Sequence, residues 1–175
     1  MGSAMTGPAV FDFRVAGATR APPKAVVDGA AGMLLASAEV AATPERAFAA
    51  LMSREIECWW KLPGVERLRD WRAELRPQGD WGVTVELCDG QRFDEWGEIC
   101  AVEAPHRVVL TRHFAGDPLI GERETTLACR FEPSPRGTLI TLREDGYLGR
   151  REAAQRAAQN WETLLGRLDG YLSQA

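Results

Sequence analysis

The sequence predicts an α+β protein in which one long helix packs across an antiparallel sheet. Between residues 71 and 145, six segments alternate apolar and polar side chains, which is the period of strands. Short turns rich in glycine and proline separate these segments, so neighbouring strands run antiparallel. The chain then continues from Gly149 to Leu172 with apolar residues at helical spacing.

Composition and charge favour one globular domain with a small-molecule or protein partner. Of 175 residues, 45% are hydrophobic and 26% charged, and the net charge is −4. An acidic balance argues against nucleic acid as the main partner, because phosphate binding needs a concentrated basic face. No apolar stretch reaches the roughly 18 residues that span a membrane, and the first residues do not follow the order of a secretory signal.

Cysteine and histidine usage indicates a reduced, cytoplasmic protein without a metal or another cofactor. The four cysteines form no CxxC pair, and neither His106 nor His113 has zinc-ligand spacing to a cysteine. A homodimer is compatible with the sequence.

Residues 1–32 predict an N-terminal arm. Residues 1–5 resemble a vector remnant, and residues 6–32 are rich in alanine, glycine and proline without a helical period. Val10–Val15 alternates well enough to be one strand added to the sheet. The alternative is a loose arm, since such a segment buries too little to offset its ordering entropy.

The domain proper is predicted over residues 33–175. Met33–Ala41 forms its first strand, and Thr43 with Pro44 begins a short helix as N-cap and first helical residue. A second short helix covers Ser53–Lys61. The other strands, about seven in all, are predicted at Trp71–Arg76, Trp81–Cys88, Arg92–Val102, Arg107–Phe114, Glu122–Phe131 and Thr138–Asp145.

Four segments carry a resemblance to a known superfamily. They are residues 42–51 (ATPERAFAAL), the helix with Trp59-Trp60, residues 97–109 (GEICAVEAPHRVV) and residues 160–172, where Asn160 replaces a usual glycine. They resemble motifs of the START-like (SRPBCC) superfamily, and the last two resemble its Hsp90 ATPase activator-like branch. The resemblance covers about residues 33–172 and implies a helix-grip fold, a curved antiparallel sheet wrapped around a long C-terminal helix. The superfamily includes carriers, cyclases, hydrolases and co-chaperone domains, so the resemblance does not fix the function.

Strand alternation predicts which side chains face the long helix. A three-residue loop at Asp89-Gly90 would pair Cys88 with Arg92 and place Glu95 on the inner face. Carrying this parity through the later turns gives the inner face an apolar end with Val109, Leu127, Cys129, Ile140 and Leu142. Its polar end collects Glu95, His113, Arg123, Thr125 and Glu144, and Thr111 lies on the same inner face as a further candidate for ligand binding.

The first half of the long helix is expected to lie over this polar end. Small side chains there leave volume beneath the helix, which predicts a cavity with a polar end and an apolar floor. The helical residues expected to line it are Ala154, Ala157, Ala158 and Trp161. The alternative is that the charged residues form a solvated rim, and a register slip of one residue would invert the face.

Three functions fit this pattern. The favoured one is binding of a small hydrophobic or amphipathic ligand in the cavity. The second is a metal-free cyclase or hydrolase in which His113 acts as general acid or base with Glu95 or Glu144. The third is a protein-interaction module, which the resemblance to co-chaperone domains implies. The sequence contains no nucleophile motif, phosphate loop or metal constellation, and this favours binding over catalysis.

Overall fold

The computed structural model describes residue 20 and residues 22–115 and 123–174. The predicted strand at Val10–Val15 lies outside the described residues. In chain order the elements are β1 (Lys24–Asp28), β2 (Met33–Val40), α1 (Pro44–Met52), α2 (Ile56–Trp59), β3 (Val65–Ala73), β4 (Gly79–Leu87), β5 (Arg92–Glu103), β6 (Arg107–Ala115), β7 (Arg123–Ser134), β8 (Gly137–Asp145) and α3 (Arg151–Leu172).

The eight strands of the described residues form one curved, open antiparallel sheet in the order β1-β2-β8-β7-β6-β5-β4-β3. Strand β2 pairs with the last strand, β8, over its full length, from Met33 opposite Asp145 to Val40 opposite Thr138. The long helix α3 follows β8 directly and returns across the concave face. The predicted α+β helix-grip fold is therefore confirmed.

The sheet has eight strands rather than about seven, because β1 lies within the segment that we assigned to the arm. It pairs with β2 from Lys24 opposite Ser37 to Asp28 opposite Met33. Its edge is partly covered by α3, since the Ala25 N–H donates to the Glu162 carboxylate at 2.8 Å. The last part of the arm is thus built into the sheet.

Strand β3 begins earlier than predicted, at Val65 instead of Trp71. Two register shifts against β4, between Val65 and Arg67 and between Arg69 and Arg72, break the alternation that sequence analysis relies on. The buried positions Val65 and Leu68 therefore stand three residues apart and do not show a period of two. The second helix is also shorter than predicted, at four residues.

Helix α1 begins as its sequence predicts. The Thr43 hydroxyl accepts the Arg46 N–H at 3.3 Å, and Pro44 occupies the first turn. The helix turns an apolar face inward, and the Phe48 ring meets Phe131 of β7 edge to face with centroids 5.3 Å apart. This contact fixes α1 against the sheet.

Helix α3 packs against β1 and β2 at one side of the concave face. Its buried residues recur at helical spacing and are Ala154, Ala157, Ala158, Trp161, Leu164, Leu165, Leu168 and Leu172. Because α3 lies mainly over one side of the sheet, space remains between the helix and the concave face of the later strands. Among the described residues no helix is long and apolar enough to cross a membrane.

The close approach of β5 and β6 gives a testable prediction at Gly97. A Cβ at this position would collide with the Thr111 carbonyl oxygen and lie 2.8 Å from the Trp81 indole nitrogen. We expect Gly97→Ala to lower the free energy of unfolding by about 1–3 kcal/mol, measured by urea denaturation followed by tryptophan fluorescence.

The matched control is Gly170→Ala in α3, where no atom lies within 4 Å of the added Cβ. This change should stabilise the protein by about 0.5–1 kcal/mol through helix propensity. Equal stability of Gly97→Ala and the unmodified protein would contradict the close approach of the two strands.

Candidate functional site

A cavity of about 510 Å³ lies between α3 and the concave face of the sheet. Three segments form its mouth: the loop after α2, the turn between β4 and β5, and the middle of α3. The Cys88 N–H donates to the Gly64 carbonyl at 2.9 Å and ties the first two segments together. The apolar wall of the cavity contains Trp60, Leu62, Pro63, Val65, Leu87, Phe93, Phe114, Trp161 and Leu164.

The register of β4 with β5 places Glu95 on the concave face. Val85 pairs with Phe93 and Val83 with Glu95, which differs by two residues from the predicted pairing of Cys88 with Arg92. A shift of two residues keeps the same side chains on the same face. Glu95 therefore lines the cavity as expected.

A β-bulge between β5 and β6 reverses the predicted face of β6. The pairing changes register between Ile99 opposite Leu110 and Ala101 opposite Val109, so one strand gains an extra residue. The concave side of β6 consequently carries Val108, Leu110, Arg112 and Phe114. The predicted inward placement of Val109, Thr111 and His113 is wrong for this reason.

His113 lies on the convex face of the sheet and does not reach the cavity. Its ring stacks on Trp96 with centroids 5.5 Å apart and an interplanar angle of 16°. Its Nε2 lies 3.2 Å from a carboxylate oxygen of Glu124. Thr111 also faces outward, where its hydroxyl accepts the Glu98 N–H at 3.0 Å.

Arg112 occupies the position that we predicted for His113. Its guanidinium donates to Oε1 of Glu144 at 2.9 Å and to Oε2 of Glu95 at 3.0 Å. Its side chain is 14% exposed, while that of Glu144 is fully buried. Burial alone would lower the pKa of Arg112, but the carboxylates of Glu144 and Glu95 raise it above its ordinary value, so the guanidinium stays charged.

Neighbouring side chains complete this cluster. The Thr125 hydroxyl donates to Oε1 of Glu144 at 2.7 Å, and the Trp161 indole N–H donates to Oε2 at 2.8 Å. The guanidinium carbon lies 4.7 Å from the centre of the Phe114 ring and 5.6 Å from that of Trp161. Such cation–π contacts and hydrogen bonds offset part of the desolvation cost of the buried charges.

Arg112 is absent from the predicted inner face because strand alternation, carried along β5 and through the next turn, takes no account of the bulge after Ile99. The alternation within β6 itself contains the missing signal. Val108, Leu110 and Phe114 form a more apolar face than Val109, Thr111 and His113, so β6 taken alone would have placed Arg112 inside.

The other predicted site residues fall into three groups. Thr125, Glu144, Ala157 and Trp161 lie in the cavity wall or in the cluster beneath it. Ala154 and Ala158 are buried but do not line this cavity. The backbone of Arg123 pairs with Phe114, and its side chain lies outside the described residues. A role of these residues in ligand binding stays a prediction.

Of two other spaces in the structure, one borders the candidate site and one does not. A void of about 50 Å³ lies deeper in the core, and Trp60, Glu95, Arg112 and Trp161 line both spaces. Cys129 borders this void, and burial raises the pKa of its thiol, which makes it unreactive. A wider depression of about 880 Å³ lies at the surface between β1 and the start of α3, away from the buried charges.

The described residues offer no cluster of three or more histidine, cysteine or acidic side chains that could hold a metal ion. The buried charges pair with protein groups, as the hydrogen bonds of Arg112 and Glu144 show. Two carboxylates, one guanidinium, a hydroxyl and an indole together form a polar base beneath an apolar cavity. Such an arrangement can orient a molecule that has one polar end.

The fold and the cavity together define a helix-grip protein of the START-like superfamily. Residues 41–173 match the model of the family described as "Activator of Hsp90 ATPase homolog 1-like protein". The chain belongs to this family.

Solved structures with the same fold come from several bacteria. A protein of Rhodobacter sphaeroides is 23% identical with a TM-score of 0.73 and covers 87% of this chain and 99% of its own. Protein Ms6760 of Mycobacterium smegmatis is 23% identical, with a TM-score of 0.71 and coverage of 89% and 99%. The AHSA1 protein of Silicibacter pomeroyi is 23% identical, with a TM-score of 0.68 and coverage of 81% and 98%. At this identity the likeness shows the fold alone. Among curated proteins, none matches this chain.

Replacing Arg112 tests the buried cluster. In Arg112→Met, Glu95 and Glu144 lose a shared counter-charge, and we expect the free energy of unfolding at pH 7 to fall by about 3–5 kcal/mol. The physical reason is that the two buried carboxylates are left without the guanidinium that pairs with both of them.

The control is Arg130→Met, an exposed position on the convex face of β7, which should change the stability by less than about 0.5 kcal/mol. Urea denaturation of both variants at pH 7 measures the effect. A loss for Arg112→Met no larger than that for Arg130→Met would contradict the assignment of the two carboxylates as partners of Arg112.

Proposed function

We propose that this protein binds a small, partly hydrophobic molecule in the cavity between α3 and the sheet. The observation that carries the proposal is a 510 Å³ cavity with an apolar wall above a buried polar cluster. Its volume falls within the roughly 300–1,000 Å³ of small-molecule sites. Sites of this kind combine an apolar lining with a few placed polar groups that fix the orientation of the ligand.

The buried charges support a functional role for the cavity. Replacing a buried ion pair by well-packed apolar residues is often neutral or stabilising, so stability alone does not call for Arg112 with two carboxylates. Glu95 and Arg112 both line the cavity and can offer hydrogen bonds to a polar group of a bound molecule. We therefore expect the polar end of the ligand to lie against these two residues.

The wall of the cavity suggests the remainder of the ligand. Aromatic side chains of Trp60, Phe93, Phe114, Tyr147 and Trp161 surround the space between the cluster and the mouth. Aromatic faces pack well against rings and hydrocarbon chains. A compact amphipathic molecule with a ring or short chain fits this lining better than a uniformly polar one.

The histidine mechanism lacks a geometric basis. His113 stacks on Trp96 at the convex face, and His106 lies exposed in the turn before β6. Since these are the chain's two histidines, a general acid or base of this type does not reach the cavity. Ligand binding is therefore favoured over a histidine-dependent cyclase or hydrolase.

We also propose that the protein resides in a reducing compartment such as the cytoplasm. Cys58, Cys88 and Cys100 are free and exposed, a state that persists where thiols are kept reduced.

Filling the cavity tests the proposal. Ala157 faces the cavity from α3, and an indole at this position would occupy the space beside Trp161. We expect Ala157→Trp to abolish binding of the fluorescent probe 1-anilinonaphthalene-8-sulfonate, which brightens in apolar sites, while the far-ultraviolet circular dichroism stays unchanged. Native mass spectrometry of freshly purified unmodified protein should retain a small molecule that this variant lacks.

The matched control is Thr163→Trp, which adds the same indole at an exposed position of α3. It should bind the probe as the unmodified protein does. Equal probe binding by Ala157→Trp would place the probe outside the cavity and overturn the proposal. If the tryptophan variant does not fold, Ala157→Leu, which fills less space, gives the same comparison.

A further inference from the structure

Three arginines converge on one glutamate at the convex face of the sheet, on the side opposite the cavity. The Nε atoms of Arg67 and Arg69 on β3 lie 2.9 Å and 2.8 Å from Oε2 of Glu86 on β4. Arg92 on β5 approaches Oε1 of the same carboxylate at 3.4 Å. We call these four residues the Glu86 cluster. It places three positive charges around one negative charge.

The cluster holds its guanidinium groups in fixed positions while leaving them accessible. Side-chain exposure is 50% for Arg67, 42% for Arg69 and 61% for Arg92, whereas Glu86 is 14% exposed. Arg67 and Arg69 both use Nε to reach Glu86, so the edge formed by their two terminal nitrogens points away from it. That edge carries two parallel N–H groups and can donate both of them to one carboxylate.

The carboxylate that organises the cluster is charged throughout the physiological range. Hydrogen bonding from Arg67, with the charges of Arg69 and Arg92, lowers the pKa of Glu86 to about 2. Glu86 therefore stays negatively charged and attracts the three arginines at neutral pH.

An exposed tryptophan continues this surface. The guanidinium of Arg72 on β3 lies over Gly82 of β4. A Cβ added to Gly82 would be 2.7 Å from a terminal nitrogen of Arg72. Gly82 pairs with Trp96 of β5, and neighbouring strands are about 4.8 Å apart. Trp96 is 41% exposed, with its ring supported by His113 beneath it. Arginine and tryptophan thus stand side by side on an open surface.

Several acidic side chains lie near this surface, including the exposed Asp70 directly after Arg69 on β3. Asp94 accepts a hydrogen bond from Thr84 at 2.7 Å, and Glu124 pairs with His113. Glu66 lies at the start of β3, with its carboxylate 3.8 Å from the Cys88 thiol. The Glu86 cluster itself keeps a formal excess of two positive charges on a chain whose net charge is −4.

We propose that the convex face formed by the Glu86 cluster and Trp96 binds an acidic segment of a partner protein. Carboxylates of the partner would take the outward edges of Arg67 and Arg69, and an apolar side chain next to them would pack on Trp96. Tryptophan and arginine are the residues that contribute most often to the binding energy of protein interfaces. The surface is separate from the cavity, so partner binding and ligand binding can be tested independently.

A protein partner fits the charges better than a nucleic acid strand does. The cross-strand pair beyond Gly82 and Trp96 is Asp80 with Glu98, so the surface turns negative about two residues past the tryptophan. A polyphosphate running over Trp96 would meet these carboxylates, and like charges repel it. A short acidic segment can end before them.

Fluorescence anisotropy of a labelled peptide tests the proposal. The probe is a fluorescein-labelled peptide of eight glutamates with one central leucine, titrated with the full chain at low ionic strength. We expect saturable binding that disappears near 1 M salt, where the Debye length falls to about 3 Å. The double variant Arg67→Gln with Arg69→Gln should weaken binding about tenfold or more, and Trp96→Ala should weaken it as well.

The control is the double variant Arg150→Gln with Arg151→Gln, which removes the same charge from exposed positions before and at the start of α3. It should bind as tightly as the unmodified protein. Equal losses in the two double variants would reduce the effect to overall charge and overturn the proposal. If a labelled oligothymidylate bound more tightly than the peptide, the surface would favour nucleic acid, and this result would also overturn the proposal.

Circular dichroism and urea denaturation establish that the variants fold. If the Arg67/Arg69 variant does not fold, Arg92→Gln replaces it, because Arg92 makes the longest contact with Glu86. Unchanged peptide binding in Arg92→Gln would then count against the proposal. Probe binding in the cavity should be unaffected by each of these changes.

Discussion

The ion pairs of Arg112 with Glu144 and Glu95 are the interaction on which the cavity depends. They join β5, β6 and β8 across the concave face, and the Trp161 indole links the same cluster to α3 through Glu144. Fully buried charges are tolerated only where each is paired and hydrogen-bonded. The cluster meets this condition, and in doing so it keeps polar groups where a simpler core would have filled the space with apolar side chains.

The position of α3 explains why there is a cavity above this cluster. Its bulky residues pack against β1 and β2 at one side of the sheet, and Glu162 extends that contact to the edge strand through Ala25. At the opposite side the helix presents Ala157 beside Trp161, and a small side chain leaves room there. The same helix therefore closes the core along one side and bounds an open volume along the other.

The two faces of the sheet differ in chemistry, and the difference follows from strand alternation. Inward positions carry apolar residues and the Arg112 cluster, whereas outward positions of the same strands carry Arg67, Arg69 and Trp96. Family membership accounts for the sheet and the helix but leaves both faces to be explained. The ligand site and the docking surface that we propose would therefore use separate side chains, on opposite faces of one sheet.

The sequence by itself determined the element order from β2 onward, the helix-grip fold and most of the inward positions, including Glu95, Thr125 and Glu144. It could do so because apolar periodicity and turn residues act locally, and a register error of two residues leaves the faces unchanged. The tertiary structure decided the face of β6, and with it the exchange of His113 for Arg112. The physical reason is the bulge near Ile99, where one extra residue in the pairing reverses every later side chain of the strand.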